Sequence, residues 1–115
     1  MQQYGNTKGS ESIIARVSKM SDLVDYQEGS IVSRMLVDKN GGTITLFAFG
    51  EGQGLSEHTA PFDAVVYVFD GQTDITISGK TLRLKSGDMT IMPADAPHSL
   101  KAVGSFKMML VMVKA

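Results

Sequence analysis

Two histidines, His58 and His98, are the side chains best suited to chemistry in this chain, and they occupy similar settings. The first ends the stretch Gly52-Gln53-Gly54-Leu55-Ser56-Glu57-His58 and the second ends Pro93-Ala94-Asp95-Ala96-Pro97-His98, so each lies beside a Gly/Pro-rich turn and next to a strand. An imidazole titrates near neutrality, ligates metals through either nitrogen, and donates or accepts a hydrogen bond. The pair is therefore a candidate metal grip, a candidate acid–base group, or the polar end of a ligand pocket. Taken singly, a histidine is more often a hydrogen-bonded structural or surface residue. The chain has no cysteine, which removes disulfides, thiolate nucleophiles and thiolate metal ligands. The glycines of Gly50-Glu51-Gly52-Gln53-Gly54 precede neither a helix nor a Lys-Ser/Thr pair, so they are not a phosphate loop. No serine sits in a Gly-x-Ser-x-Gly elbow. Any chemistry falls to the two histidines and the carboxylates.

The elements that must position these residues are strands. From Ile31 onward the hydrophobic period is two: Ile75 and Ile77 share a face with Thr73, while Asp74, Thr76 and Ser78 take the other, and Leu82 and Leu84 repeat the pattern. Gly71, Gly79 and Gly87, each eight residues from the next, read as turns between short strands, the signature of a sandwich or barrel. Asn40-Gly41-Gly42 predicts a hairpin between residues 31–38 and 43–49. The stretch Met20-Ser21-Asp22-Leu23-Val24 predicts one helical turn capped by Ser21 or Asp22, and nothing else reads as helix. Residues 1–12 are a short polar tail, frayed or borrowed by a partner subunit, and residues 13–115 form the domain.

Residues 64–69 and 108–113 are apolar on both faces. Both faces must then be covered, by the N-terminal segment or by a second copy, and a homodimer is the economical reading. With no crossover helices, the fold class is all-β, an antiparallel jelly roll.

Composition narrows the function classes. The 115 residues include 11 basic and 12 acidic side chains, net −1, so there is no basic field to hold nucleic acid or an anionic membrane surface. The longest apolar runs are far short of the ~20 residues that span a bilayer. The N-terminus carries one lysine and no apolar core, unlike a secretory signal, so the expected location is cytoplasmic.

Over about residues 31–113 the chain resembles the cupin family of small β-barrels, whose fold is a double-stranded β-helix. The first cupin motif runs Gly, five residues, His-x-His, three or four residues, Glu, six residues, Gly; here Gly52, His58-Thr59-Ala60, Ala64 and Gly71 keep that spacing. The second runs Gly, five residues, Pro-x-Gly, two residues, His, three residues, Asn; here Gly87, Pro93-Ala94-Asp95, His98 and Ala102 keep it too. In metal-binding cupins the resemblance implies four ligands around one metal. His58 and His98 match two of them, whereas Ala60 and Ala64 stand where the second His and the Glu belong.

Two imidazoles with waters still offer a weak seat for one divalent ion such as Zn, Ni, Mn, Fe or Cu. Asp63 is the replacement ligand to check, since Pro61 breaks the alternation beside it, although a turn carboxylate capping a backbone amide is the plainer reading. Glu57 should point away from His58. Five of the eight methionines fall between positions 89 and 112, spread over several strands and faces, which favours an adaptable pocket wall over a His/Met copper site. The leading expectation is a barrel pocket for a small organic molecule, with His58, His98, Met92 and Tyr67 as its binding residues. The alternatives implied by the resemblance are a metal-dependent dioxygenase, isomerase or decarboxylase, and a metal-free isomerase using a histidine as base. A sugar nucleotide is disfavoured by the lack of a basic cluster.

Overall fold

Two long strands organise the fold. In the computed structural model, which describes residues 13–114, β4 (Asp63–Ile77) and β7 (His98–Val113) pair antiparallel along almost their whole lengths. Each changes its other neighbour part-way. Residues 64–67 of β4 pair with β6 (Met89–Met92), and residues 72–77 pair with β5 (Lys80–Lys85). Residues 98–101 of β7 pair with β3 (Gly54–His58), and residues 106–113 pair with β2 (Gly42–Phe49), which is itself paired with β1 (Ile31–Lys39). The result is a sheet with two halves, β1-β2-β7-β4-β6 and β3-β7-β4-β5. They close on one core: Phe49, Val66, Val68, Phe106 and Met108 from the first half pack with Ile75, Leu84, Leu100 and Ala102 from the second. The Phe49 and Phe106 rings stack with centroids 4.5 Å apart. This is the expected all-β jelly roll.

The corner between the halves is at Gly71, where the β4–β7 register slips between Val68 and Asp70 and again between Gly71 and Gln72. The sequence pattern reads Gly71 as a turn between strands, and the structure corrects this: the chain continues as one 15-residue strand that bends. Gly71 has φ +71°, and a Cβ there would lie 2.0 Å from the Ser105 carbonyl oxygen, so the two backbones cross at a point no side chain can enter. Gly79 does close the β4–β5 hairpin, and Asn40 and Gly41 the β1–β2 hairpin, as their spacing predicts.

The doubly apolar strands find part of their cover within the chain. The expected helical turn forms as a 3₁₀ turn at Met20–Asp22, without the side-chain cap expected from Ser21 or Asp22. It brings Val24, fully buried, with Met20 and Leu23 onto Val32, Leu46, Ala48, Phe69 and Met109 of the outer face. Polar bonds pin this arm. The buried Arg34 donates from Nη1 to the Leu23 carbonyl at 3.3 Å, and Lys107 donates from Nζ to the Ser21 carbonyl at 2.8 Å while lying 4.9 Å from the Tyr26 ring centroid. Among the described residues nothing covers the rest of the face, where Val37, Met89, Ile91 and Val113 are exposed. The expected tail, residues 1–12, lies outside the described residues.

The Tyr26 hydroxyl donates to the Asp70 carboxylate. Partial burial, then this bond and the carboxylate's charge, push the phenol above its ordinary range. A group held protonated by folding contributes stability that is whole below its unfolded pKa of about 10 and fades as pH climbs toward the folded value. Tyr26→Phe should therefore cost on the order of 1 kcal/mol at pH 8, because the pair is partly exposed. In urea unfolding, the gap between wild type and variant should shrink by pH 11; a gap that holds or widens contradicts the assignment.

Candidate functional site

His58 closes β3 and His98 opens β7, and the two are register partners across that strand pair. Their settings match atom for atom. His58 Nδ1 lies 2.8 Å from the Ser56 carbonyl oxygen and His98 Nδ1 lies 3.0 Å from the Ala96 carbonyl oxygen, each two residues back along the chain. A carbonyl only accepts, so both Nδ1 atoms donate and both rings turn Nε2 toward each other. Those two Nε2 atoms face each other at 3.1 Å, with the rings edge to face at 68°. His98 is buried and His58 is exposed, so the pair spans the wall between the interior and the surface.

Two hydrogen bonds stitch the segments that carry these rings. Asp95 donates its backbone N–H to the Ala60 carbonyl at 2.7 Å, and Asp63 Oδ1 accepts the Ala94 amide at 2.8 Å. Asp95 has φ +68°, a left-handed conformation at the position where the resembled motif carries glycine, and Asp tolerates it better than most residues. Asp63 is thus a turn cap and is absent from the cavity lining, so it is no substitute ligand. Asp63→Ala should destabilise the fold by about 1 kcal/mol and speed hydrogen exchange at the Ala94 amide. Unchanged exchange at that amide would refute the stitching role.

The histidines border a cavity of about 290 Å³ inside the barrel. The rest of its lining is apolar: Leu55, Ala60, Phe62, Ala64, Met92, Leu100, Met108, Leu110 and Met112. Met92 is therefore where the sequence reading puts it. Tyr67 is not: Ala64 and Val66 are buried on the inner face, and strand alternation turns Val65 and Tyr67 to the outer one, beside Met89 and Met109. The methionines stand as the expected pocket wall: three of the five, Met92, Met108 and Met112, line this one cavity, because β6 and the second half of β7 flank β4 on either side. Phe62 and Leu55 are lining residues that the sequence reading missed. Leu55 alternates with neighbours too polar to reveal a strand, and Phe62 follows a proline.

The donor set fits only in part the metal that the resemblance to metal-binding cupins implies. Two Nε2 atoms at 3.1 Å fit adjacent ligands of one ion, since metal–nitrogen bonds of ~2.1 Å would subtend about 95°. The remaining donors do not fit. Ala60 and Ala64 line the cavity with methyl groups, and among the described residues no three His, Cys, Asp or Glu come together to hold a metal ion. The protein supplies half of a four-ligand cage.

The family model for the cupin domain matches residues 45–114, which spans both motifs. The chain is a cupin. A conserved protein of unknown function from Streptococcus pyogenes is 35% identical, with a TM-score of 0.85, and the match covers 100% of this cupin and 96% of that chain. A cupin 2 conserved barrel domain protein from Leptotrichia buccalis is 40% identical, with a TM-score of 0.78, over 81% of this cupin and 45% of that chain. The polyketide synthase CurC of Streptomyces cyaneus is 26% identical over 76 residues, 65% of this cupin and 49% of that relative's length. No helix among the described residues is long and apolar enough to cross a membrane.

Proposed function

We propose that this cupin binds a small, largely apolar organic molecule in its barrel cavity, with His58 and His98 as the polar grip. The observation that carries the reading is the lining: two converging imidazoles in a wall otherwise made of alanine, leucine, phenylalanine and methionine. Apolar walls with a few placed polar groups are the usual make-up of a small-molecule site, and methionine lets such a wall adapt in shape. Alanines at the two vacant ligand positions widen the space that a metal cage would fill. The similarity to a polyketide synthase is in keeping with an organic ligand.

Thermal unfolding in the presence of chelator tests this. Phenol should raise the Tm of the wild type, and Ala60→Leu, which fills part of the cavity, should abolish the rise. A phenol effect that persists in Ala60→Leu, or none in the wild type, counts against the reading.

A second reading is favoured by the 3.1 Å bite of the two Nε2 atoms: a weakly held divalent ion completed by water or substrate, in the manner of a metal-dependent dioxygenase, isomerase or decarboxylase. Elemental analysis of untagged protein decides it, since one equivalent of metal that disappears in His58→Ala would establish the ion. A metal-free isomerase would use an Nε2 lone pair as base, but the lining offers no other titratable side chain to act as acid.

The homodimer is proposed on the open part of the outer face, where Val37, Ile91 and Val113 are exposed. Light scattering should give about twice 12.4 kDa, and a monomer removes the proposal.

A further inference from the structure

Resting on the pocket reading above, we infer that the molecule it takes is an amphipathic anion, with an apolar body in the cavity and a carboxylate or similar group held at the rim by Lys114. The placement of Lys114 follows from strand parity. Met108, Leu110 and Met112 alternate along β7, and all three line the cavity. Position 114 is next in that series, and its backbone continues the ladder, since its N–H donates to the Gly41 carbonyl at 2.8 Å. The side chain therefore leaves the chain on the cavity side. A contact with the neighbouring strand agrees. Asp63 and Val113 are register partners, so Phe62 stands across from Lys114, and Nζ lies 5.5 Å from the centroid of the Phe62 ring. Phe62 is itself a lining residue. Along β7 the series runs from buried Met108 through half-buried Leu110 and Met112 to exposed Lys114, so the ammonium marks the outer end of the cavity.

Nothing acidic competes for that ammonium. No lining side chain is a carboxylate, and among the described residues no carboxylate oxygen comes within ion-pairing distance of Nζ. Asp63 has the opposite parity and accepts the Ala94 amide. An anion drawn deep into the lining would exchange its water for alanine, leucine and methionine, at a large cost. At the rim it keeps water on one side and gains a cation on the other. A partly exposed pair of this kind is worth up to about fivefold in affinity at low salt, and ~0.5 M salt screens most of it away. A cationic ligand meets Lys114 as a like charge. The volume of about 290 Å³ is at the small end for ligand sites, which fits a short chain or a single ring as the apolar body.

Hexanoate, hexan-1-ol and hexylammonium share one body and differ in the charge at its end. Each is titrated into chelator-treated full-length protein at pH 8.5, above the ordinary imidazole range, following the methionine methyl resonances. At low salt hexanoate should bind about threefold or more tightly than hexan-1-ol, with hexylammonium the weakest, and ~0.5 M salt should erase the anion's lead. An apolar cavity with an uncharged rim would favour the alcohol. Lys114→Gln, at an exposed position outside the core, should abolish the lead and leave the affinity for hexan-1-ol within about twofold. Hexan-1-ol binding as tightly as hexanoate in the wild type, or a lead of hexanoate that survives in Lys114→Gln, overturns the inference and leaves the apolar pocket standing. Silence of the methionine methyls toward all three compounds overturns the pocket reading itself.

Discussion

Alanine at position 71 should remove a large share of the domain's stability, whereas alanine at position 104 should be tolerated. Both glycines have positive φ, +71° and +77°, so a side chain at either meets the ordinary left-handed penalty of ~1–2 kcal/mol. Their surroundings separate them. A Cβ on Gly71 would lie 2.0 Å from the Ser105 carbonyl oxygen and 2.9 Å from the Phe106 Cα, both backbone atoms of the paired strand, whereas a Cβ on Gly104 meets nothing within 4 Å. Relieving the first contact means forcing β4 and β7 apart at the corner where they carry the sheet from one half to the other. With overpacking added to the strain, Gly71→Ala should cost about 3–5 kcal/mol, out of a total near 5–15 for a domain. The corner also aims the site, because it folds the His98 end of β7 back over the strand residues that line the cavity. Urea unfolding of both variants measures this, and comparable losses at the two positions would show that the crossing is not tight.

The second large effect comes from rebuilding the missing ligands. Ala60→His with Ala64→Glu should turn a cavity bordered by two imidazoles into a strong site for a divalent ion, at a cost in stability without metal. Ala64 is 3% exposed and faces Met92 and Met112 in register across the neighbouring strands. A glutamate there is buried among apolar groups without a cationic partner, which costs several kcal/mol or forces the carboxyl to stay protonated. A divalent ion bridging it to His58 and His98 removes that cost, and an ion at a hundred times its Kd adds about 2.7 kcal/mol. Ni(II) should therefore raise the Tm of the double variant by ~10 °C or more and leave the wild type nearly unchanged. A wild-type shift of the same size would mean that water already completes a working site on two imidazoles. No shift in the variant would mean that the alanine positions do not point at a common centre with the histidines.

Much of this was legible in the residues. The two-residue period, the Asn-Gly-Gly hairpin and the absence of helix periodicity lead to an all-β barrel, and the motif spacing singles out His58 and His98, which the structure places as register partners of β3 and β7. Three features escaped, each for a physical reason. Gly71 reads as a turn because composition cannot distinguish a glycine that reverses the chain from one that lets two strands cross. Tyr67 was assigned to the pocket although strand parity puts it opposite Ala64, whose methyl marks the inner face. Leu55 and Phe62 were missed as lining because Leu55 alternates with polar neighbours and Phe62 follows a proline, so neither carries a strand pattern that marks an inner face. The orientations of the two histidine rings are a finer case still. They follow from two carbonyls, of Ser56 and Ala96, whose directions are set by the turns before each strand.

The central claim is that the cavity takes an organic molecule without needing a metal. It is tested most directly by the methionine methyl spectrum of chelator-treated protein as phenol is added. The account predicts saturable shifts at Met92, Met108 and Met112, with Met20, Met35 and Met89, which lie off the cavity, unmoved. Shifts that appear only once a divalent ion is restored, or that spread evenly over all the methionines, would contradict it.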